Sequence, residues 1–216
     1  MAVTVVKFTA NQNDGTAGSL ATTVQATAVS SGMLVGIFWK GAETITSVTG
    51  GGTYADSGAG KIARPTDGQI QIFGSPSVTT GTTTVTVNWS DANASSIEAY
   101  CCEITGQNTS TLFDAAFNSG TATSGTVLTT GSFTPANGLI FSMAACDSIG
   151  SASGDTGYFV EYNPSGQGLV LQDKAFVSGA QTTSATFGNA MTKGAIRSVV
   201  ANIAAATAGN IAWVKA

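Results

Sequence analysis

The stretch QIQIFGSPSVTTGTTTVTVNW, Gln69–Trp89, decides the fold class. Gln69 to Phe73 alternate polar and apolar, and so do Thr84 to Trp89. Successive side chains of a β-strand leave on opposite faces, so this period puts Ile70, Ile72, Val85, Val87 and Trp89 on the buried faces of two strands. Gly74, Pro76 and Gly81 lie between them and favour turns. The stretch reads as a β-hairpin.

Strand patterns continue on both sides of it. Gly32 to Trp39 (GMLVGIFW) is a continuous apolar run, as expected of a strand covered on both faces. Ser96 to Ile104 (SIEAYCCEI) is a further strand. Val3 to Phe8 reads as the first strand, Asn11 to Gly18 as a polar loop, and Leu20 to Val29 and Ile45 to Val48 as strands. Gly50-Gly51-Gly52 has free access to positive φ. Tyr54 to Ile62 reads as a short strand with a loop. Gly106 to Gly125 is rich in Ser, Thr and Gly, and its Leu112, Phe113 and Phe117 predict that it packs on the core.

A second series follows. Val127 to Thr134 precedes the apolar run Gly138 to Met143, and Asp147 to Gly157 reads as a loop. Strands are expected at Tyr158 to Tyr162, Gly168 to Val177, Thr183 to Phe187, Ala195 to Ile203 and Ile211 to Val214. Three segments of the two series match in order: the Gly-led apolar runs, IQIFGSPSV with LVLQDKAFV, and SIEAYCCEI with AIRSVVANI. Their offsets are 106, 99 and 99 residues. This is an internal duplication with a period of about 100 residues. The pseudo-repeat halves run over about 19–108 and 125–205. No Pro- or charge-rich linker divides them, so the sequence predicts one domain over residues 1–216. The expected fold is all-β: a two-sheet antiparallel β-sandwich with jelly-roll-like topology, each half supplying one Greek key.

Composition narrows the function. Charged residues make up 9% of the 216, the net charge is −4, and the eight basic residues are scattered from Lys7 to Lys215. Nucleic-acid binding normally needs clustered Lys and Arg, so it is disfavoured. A charge-poor surface rich in Thr and Gly suits a rigid scaffold that is buried in an assembly, where each charge would cost free energy to desolvate. Met1 to Gln12 contains no long apolar run, so no signal peptide is expected. Gly194 to Ala208 is too short and too interrupted to span a bilayer, and no membrane partner is expected. Cys101, Cys102 and Cys146 read as buried free thiols, with one bridge from either of the first two to Cys146 left open.

Catalytic patterns are missing. The chain has no histidine, which removes Ser-His-Asp and Cys-His triads, imidazole acid–base chemistry and His-based metal sites. Glu98 and Glu103 fall on opposite faces of one strand, and Glu161 and Asp173 lie in the other half. All four read as solvated charges, so no catalytic residue, cofactor or metal is assigned. Asp147 to Asp155 has oxygen ligands that a calcium ion would accept, but not the spacing of an EF-hand, and a plain polar loop is the expectation. Trp39 and Trp89 read as core. Trp213, Tyr158 and Tyr162 are the aromatics left for stacking on a sugar. The sequons at Asn88, Asn93 and Asn108 read as chance matches in a Ser/Thr-rich chain.

GMLVGIFW, ITSVTGGGTY, IQIFGSPSVTTGTTTVTVNWS, SIEAYCCEITG, LFDAA and ANGLIFSMA together resemble a widespread β-sandwich family found in phage virion proteins and in bacterial surface proteins. The likeness spans residues 19 to 203 and extends to capsid decoration, or cement, proteins. It departs from the family pattern at Gly50, where an Asp is usual. It implies a non-enzymatic structural virion protein, made in a host cytoplasm and exposed on the particle surface. The implied partners are the major capsid protein or other virion proteins. A homo-oligomer is implied too, with the trimer as the common habit of jelly-roll assemblies. Val3, Val5, Phe8, Ile211, Trp213 and Val214 are the expected interface, so deleting residues 1–10 is expected to abolish particle binding and leave the β-sheet spectrum intact. The alternative is a carbohydrate-binding or adhesin module with a glycan ligand.

Overall fold

The computed structural model describes residues 3–26, 30–58, 60–65, 67–147, 151–162, 168–176 and 179–204. Among them are seventeen strands and no helix. The first nine are β1 (Thr4–Thr16), β2 (Ser19–Ala26), β3 (Gly32–Lys40), β4 (Ile45–Thr49), β5 (Ala55–Asp56), β6 (Ile62–Arg64), β7 (Gly68–Ser75), β8 (Gly81–Trp89) and β9 (Ser95–Thr105). The other eight are β10 (Asn118–Ala122), β11 (Val127–Thr129), β12 (Gly138–Cys146), β13 (Ala152–Gly154), β14 (Phe159–Tyr162), β15 (Leu169–Phe176), β16 (Ser184–Phe187) and β17 (Gly194–Asn202). The chain is all-β, and its strands pair antiparallel throughout the described sheets.

The expected two sheets are four. A six-stranded sheet runs β1-β9-β3-β7-β5, with β6 also on β7, and a three-stranded sheet runs β2-β8-β4. The second half repeats the plan as β10-β17-β12-β15-β14 and β11-β16-β13. Strand for strand, β1 corresponds to β10, β2 to β11, β3 to β12, β4 to β13, β7 to β15, β8 to β16 and β9 to β17. The sequence matches at β3/β12, β7/β15 and β9/β17 are the inner strands of this repeat.

The four sheets stack in layers. Leu34, Phe38, Ile70, Ile72, Tyr100 and Cys102 of the six-stranded sheet share one core with Leu139, Phe141, Met143, Leu171 and Val199 of the five-stranded sheet. The opposite face of the six-stranded sheet, with Val35, Ile37, Trp39, Ala99 and Cys101, packs on Leu20, Val24, Val85, Val87 and Trp89. Leu128, Ala185 and Phe187 cover Ala144, Val170 and Ile196 on the far side of the five-stranded sheet. The small sheets are therefore outermost and the large ones meet at the centre. This is why β3 and β12 are apolar at consecutive positions: both of their faces are covered.

Two local expectations are corrected. β7 and β8 are not a hairpin. Ile70 and Ile72 face the central core, whereas Val85, Val87 and Trp89 belong to the outer sheet, and the turn through Pro76 crosses from one sheet to the other. The polar run Asn11 to Thr16 is not a loop but the second half of β1, in register with β9 from Asn11↔Ala99 to Thr16↔Ser95. An edge strand needs backbone partners on one side only, and its outward side chains stay polar.

Gly106 to Gly125 packs as expected. Leu112 is buried in the central core, with Phe113 and Phe117 against it. The segment also bonds to the end of β17, through Asn108 N–H to Asn202 O (2.8 Å) and Asp114 N–H to Val200 O (3.0 Å). The two halves thus share both a core and a laced connection.

Candidate interaction surface

β1 alternates loosely in burial. Val3, just before it, is only 2% exposed and lies in the central core. Val5 and Phe8 are half-buried against the same core, and Phe8 stacks on Tyr100 with ring centroids 6.0 Å apart. These three side chains are used inside the chain. Ile211, Trp213 and Val214 lie outside the described residues.

Among the described residues the large apolar side chains left at the surface are Val6 (44% exposed), Val127 (47%), Phe159 (72%) and Val160 (45%). Phe159, the most exposed of them, stands at a groove. Val3, Val5, Leu139, Phe159, Asp173 and Ala175, with Thr4, line a groove of about 290 Å³ between the start of β1 and the β12-β15-β14 edge. Val160 leaves the opposite face of β14 and lies over Gly154 of β13. Sequence reading missed Phe159 and Val160 because FVEY looks like any half-buried strand. Its position on the edge strand β14 is set by the topology.

At the opposite end of β1 is a charged cluster. Glu98 of β9 sits opposite Gln12 of β1 and Phe38 of β3. Burial and the neighbouring Asp14 carboxylate push Glu98 up to about 7, against a smaller pull from Arg64 and Lys40. Arg64 is buried, 2.9 Å from Asp67, and its guanidinium lies 4.9 Å from the Phe38 ring centroid. Lys193 of the second half reaches Asp67 at 3.3 Å, which ties the halves together at this end.

The solvated reading of the carboxylates is thus overturned for three of them. Glu98 is half-buried, Asp173 is 5% exposed, and Glu103 is 1% exposed and accepts a hydrogen bond from the Ser31 hydroxyl at 2.5 Å. Each lies where a large sheet is covered by the next layer, which the sequence alone does not reveal. The side chain of Glu161 lies outside the described residues.

Asp147 and Asp155 close turns. Asp147 accepts from Thr192 N–H, Thr192 hydroxyl and Lys193 N–H, at 2.9, 2.5 and 2.9 Å, and these bonds lower its carboxyl below the usual range although burial opposes them. Asp155 accepts from Thr156 N–H and Ser184 N–H. Among the described residues no three acidic or thiol groups gather to hold a metal ion.

The aromatics and thiols fall inside. Trp39 and Trp89 pack edge to face in the outer core of the first half, 6.2 Å apart. The ring of Tyr158 is covered by the Lys174 ammonium at 5.2 Å, and its hydroxyl bonds Thr183 at 2.9 Å, which leaves it poorly placed for sugar stacking. The side chains of Tyr162 and Trp213 lie outside the described residues. Cys101, Cys102 and Cys146 form no disulfide and are buried in three different cores. Gly50, where the resemblance expects Asp, has φ 108° and its added Cβ would lie 1.9 Å from Thr84 O. An Asp there would be strained as well as blocked.

No family model, no curated protein and no solved structure matches this chain.

Proposed function

We propose that this chain is a non-enzymatic structural protein of a bacteriophage particle, a decoration or cement protein seated over the shell. Each half is read as a jelly-roll sandwich of its own. The orders β1-β9-β3-β7 with β2-β8-β4, and β10-β17-β12-β15 with β11-β16-β13, support that reading, because interlocked Greek keys give this alternation of strands. One jelly roll per half replaces the single one expected across the chain.

The observation that carries the functional reading is the exposed Phe159 at a groove lined by Val3, Val5, Leu139 and Ala175, on a frame otherwise poor in charge. Apolar surface clustered on a rigid protein marks a contact site. Four stacked layers lose little conformational freedom on docking, so more of the contact energy appears as affinity. The partner is the major capsid protein or another virion protein. Assembly as a homo-oligomer, a trimer by analogy with other jelly-roll assemblies, multiplies a modest contact through avidity.

Phe159→Asp tests this. The side chain is exposed, so the melting temperature is expected to stay within a few degrees of the parent, the size typical of surface changes. Co-sedimentation with shells lacking this chain is expected to weaken on the order of tenfold or more. Unchanged co-sedimentation of the folded variant would refute the assignment of this surface.

A further inference from the structure

Glu98 is a half-buried carboxylate at the far end of β1 from the proposed docking groove. Its Oε2 is buried and has no hydrogen-bond partner. The charged groups facing it are Asp14 on β1, Lys40 on β3 and Arg64 on β6. Of the two cations, Arg64 is already committed to Asp67, with Nε and an outer guanidinium nitrogen 3.0 and 2.9 Å from the same oxygen. Negative charge on this Oε2 therefore lacks the hydration or hydrogen bonding that would offset its burial.

Asp14 stands at a fault in the strand. The β1–β9 register runs regularly to Asn13↔Ile97 and resumes at Thr16↔Ser95, so Asp14 and Gly15 bulge from the ladder. Asn11 to Thr16 are all exposed and pair on one side only. Beyond that ladder the stretch is tied by Asn11 Nδ2–H donating to Ala21 O at 2.7 Å, and its exposed side chains let it lift with little loss of packing.

We propose that Glu98 is a proton-operated latch on the second half of β1: neutral, it lets Asn11 to Thr16 lie on β9, and ionised, it drives that stretch away. Lifting the strand admits water to Glu98 and carries Asp14 off. Because burial and Asp14 raise Glu98 to about 7, the change falls near neutral pH. The sign follows from linkage. The closed form binds a proton that the open form releases, so closure is fully favoured below the ordinary Glu range and weakens as pH rises through about 7. The latch does not depend on the proposed docking surface, and either can fail without the other.

Hydrogen exchange of peptides spanning residues 9–16, followed by mass spectrometry from pH 5.5 to 8.5 and corrected for the intrinsic rate, tests it. In the wild type, protection of residues 11–16 is expected to fall on the order of tenfold per pH unit as pH approaches the Glu98 value from below, and to level off above it. Glu98→Gln is expected to abolish the fall. Asp14→Asn, on the exposed bulge, is expected to move it to lower pH. A flat wild-type profile, a fall that survives in Glu98→Gln, or no displacement in Asp14→Asn would each overturn the proposal.

Discussion

Glu98 carries charge physics that Ser96-Ile97-Glu98-Ala99-Tyr100 does not display. In one dimension it is a polar residue in an alternating strand. In three dimensions it faces Asp14 under partial cover, and its pKa rises to about 7. The consequence for stability has a definite direction. A carboxyl raised above its unfolded value stabilises the fold fully at pH below that value, and the contribution disappears as pH climbs through about 7. Urea unfolding at pH 5 and pH 8 is therefore expected to show the wild type losing about 2 kcal/mol from this group, and Glu98→Gln losing much less. Equal losses in the two proteins would contradict it. The thiols show the opposite situation, because the sequence placed them correctly: adjacent strand residues Cys101 and Cys102 must face different cores, and they do.

At the scale of elements, what the sequence revealed depended on burial. β3, β7, β9, β12, β15 and β17 announce themselves through apolar runs or alternation, because they form the covered central layers. The short β10, β11 and β13 leave almost no periodic trace, since they lie at sheet edges or in the outer layer and hold on through backbone bonds. The supposed hairpin failed because alternation reports which side chains are buried, not which strand is the neighbour. β1 matters most for experiment. It supplies the ladder partner for Thr105 through Ser95 of β9, and Val3, Val5 and Phe8 add to the central core. Deleting residues 1–10 is therefore expected to destroy cooperative folding, not merely binding. Loss of the sharp thermal transition by circular dichroism would agree, and a native-like spectrum and melting temperature would contradict it.

The whole molecule is a duplicated frame. Two halves of the same strand order place their large sheets against each other and close the seam with the Gly106–Gly125 connection and the Asp67–Lys193 pair. The period was legible in the sequence, whereas the four-layer arrangement was not, because inter-sheet contacts join residues far apart in the chain. The proposed docking surface was legible only as a region: β1 does border the groove, yet Phe159, not Val3, is its exposed member. A rigid frame with an exposed Phe159 at an apolar groove and few charges is the basis for proposing a place on a particle surface. Quantitative mass spectrometry of purified particles, with this chain counted against the major shell protein, tests that assignment most directly. A copy number in simple ratio to the shell protein is the predicted result. Absence of the chain from the particles would contradict it.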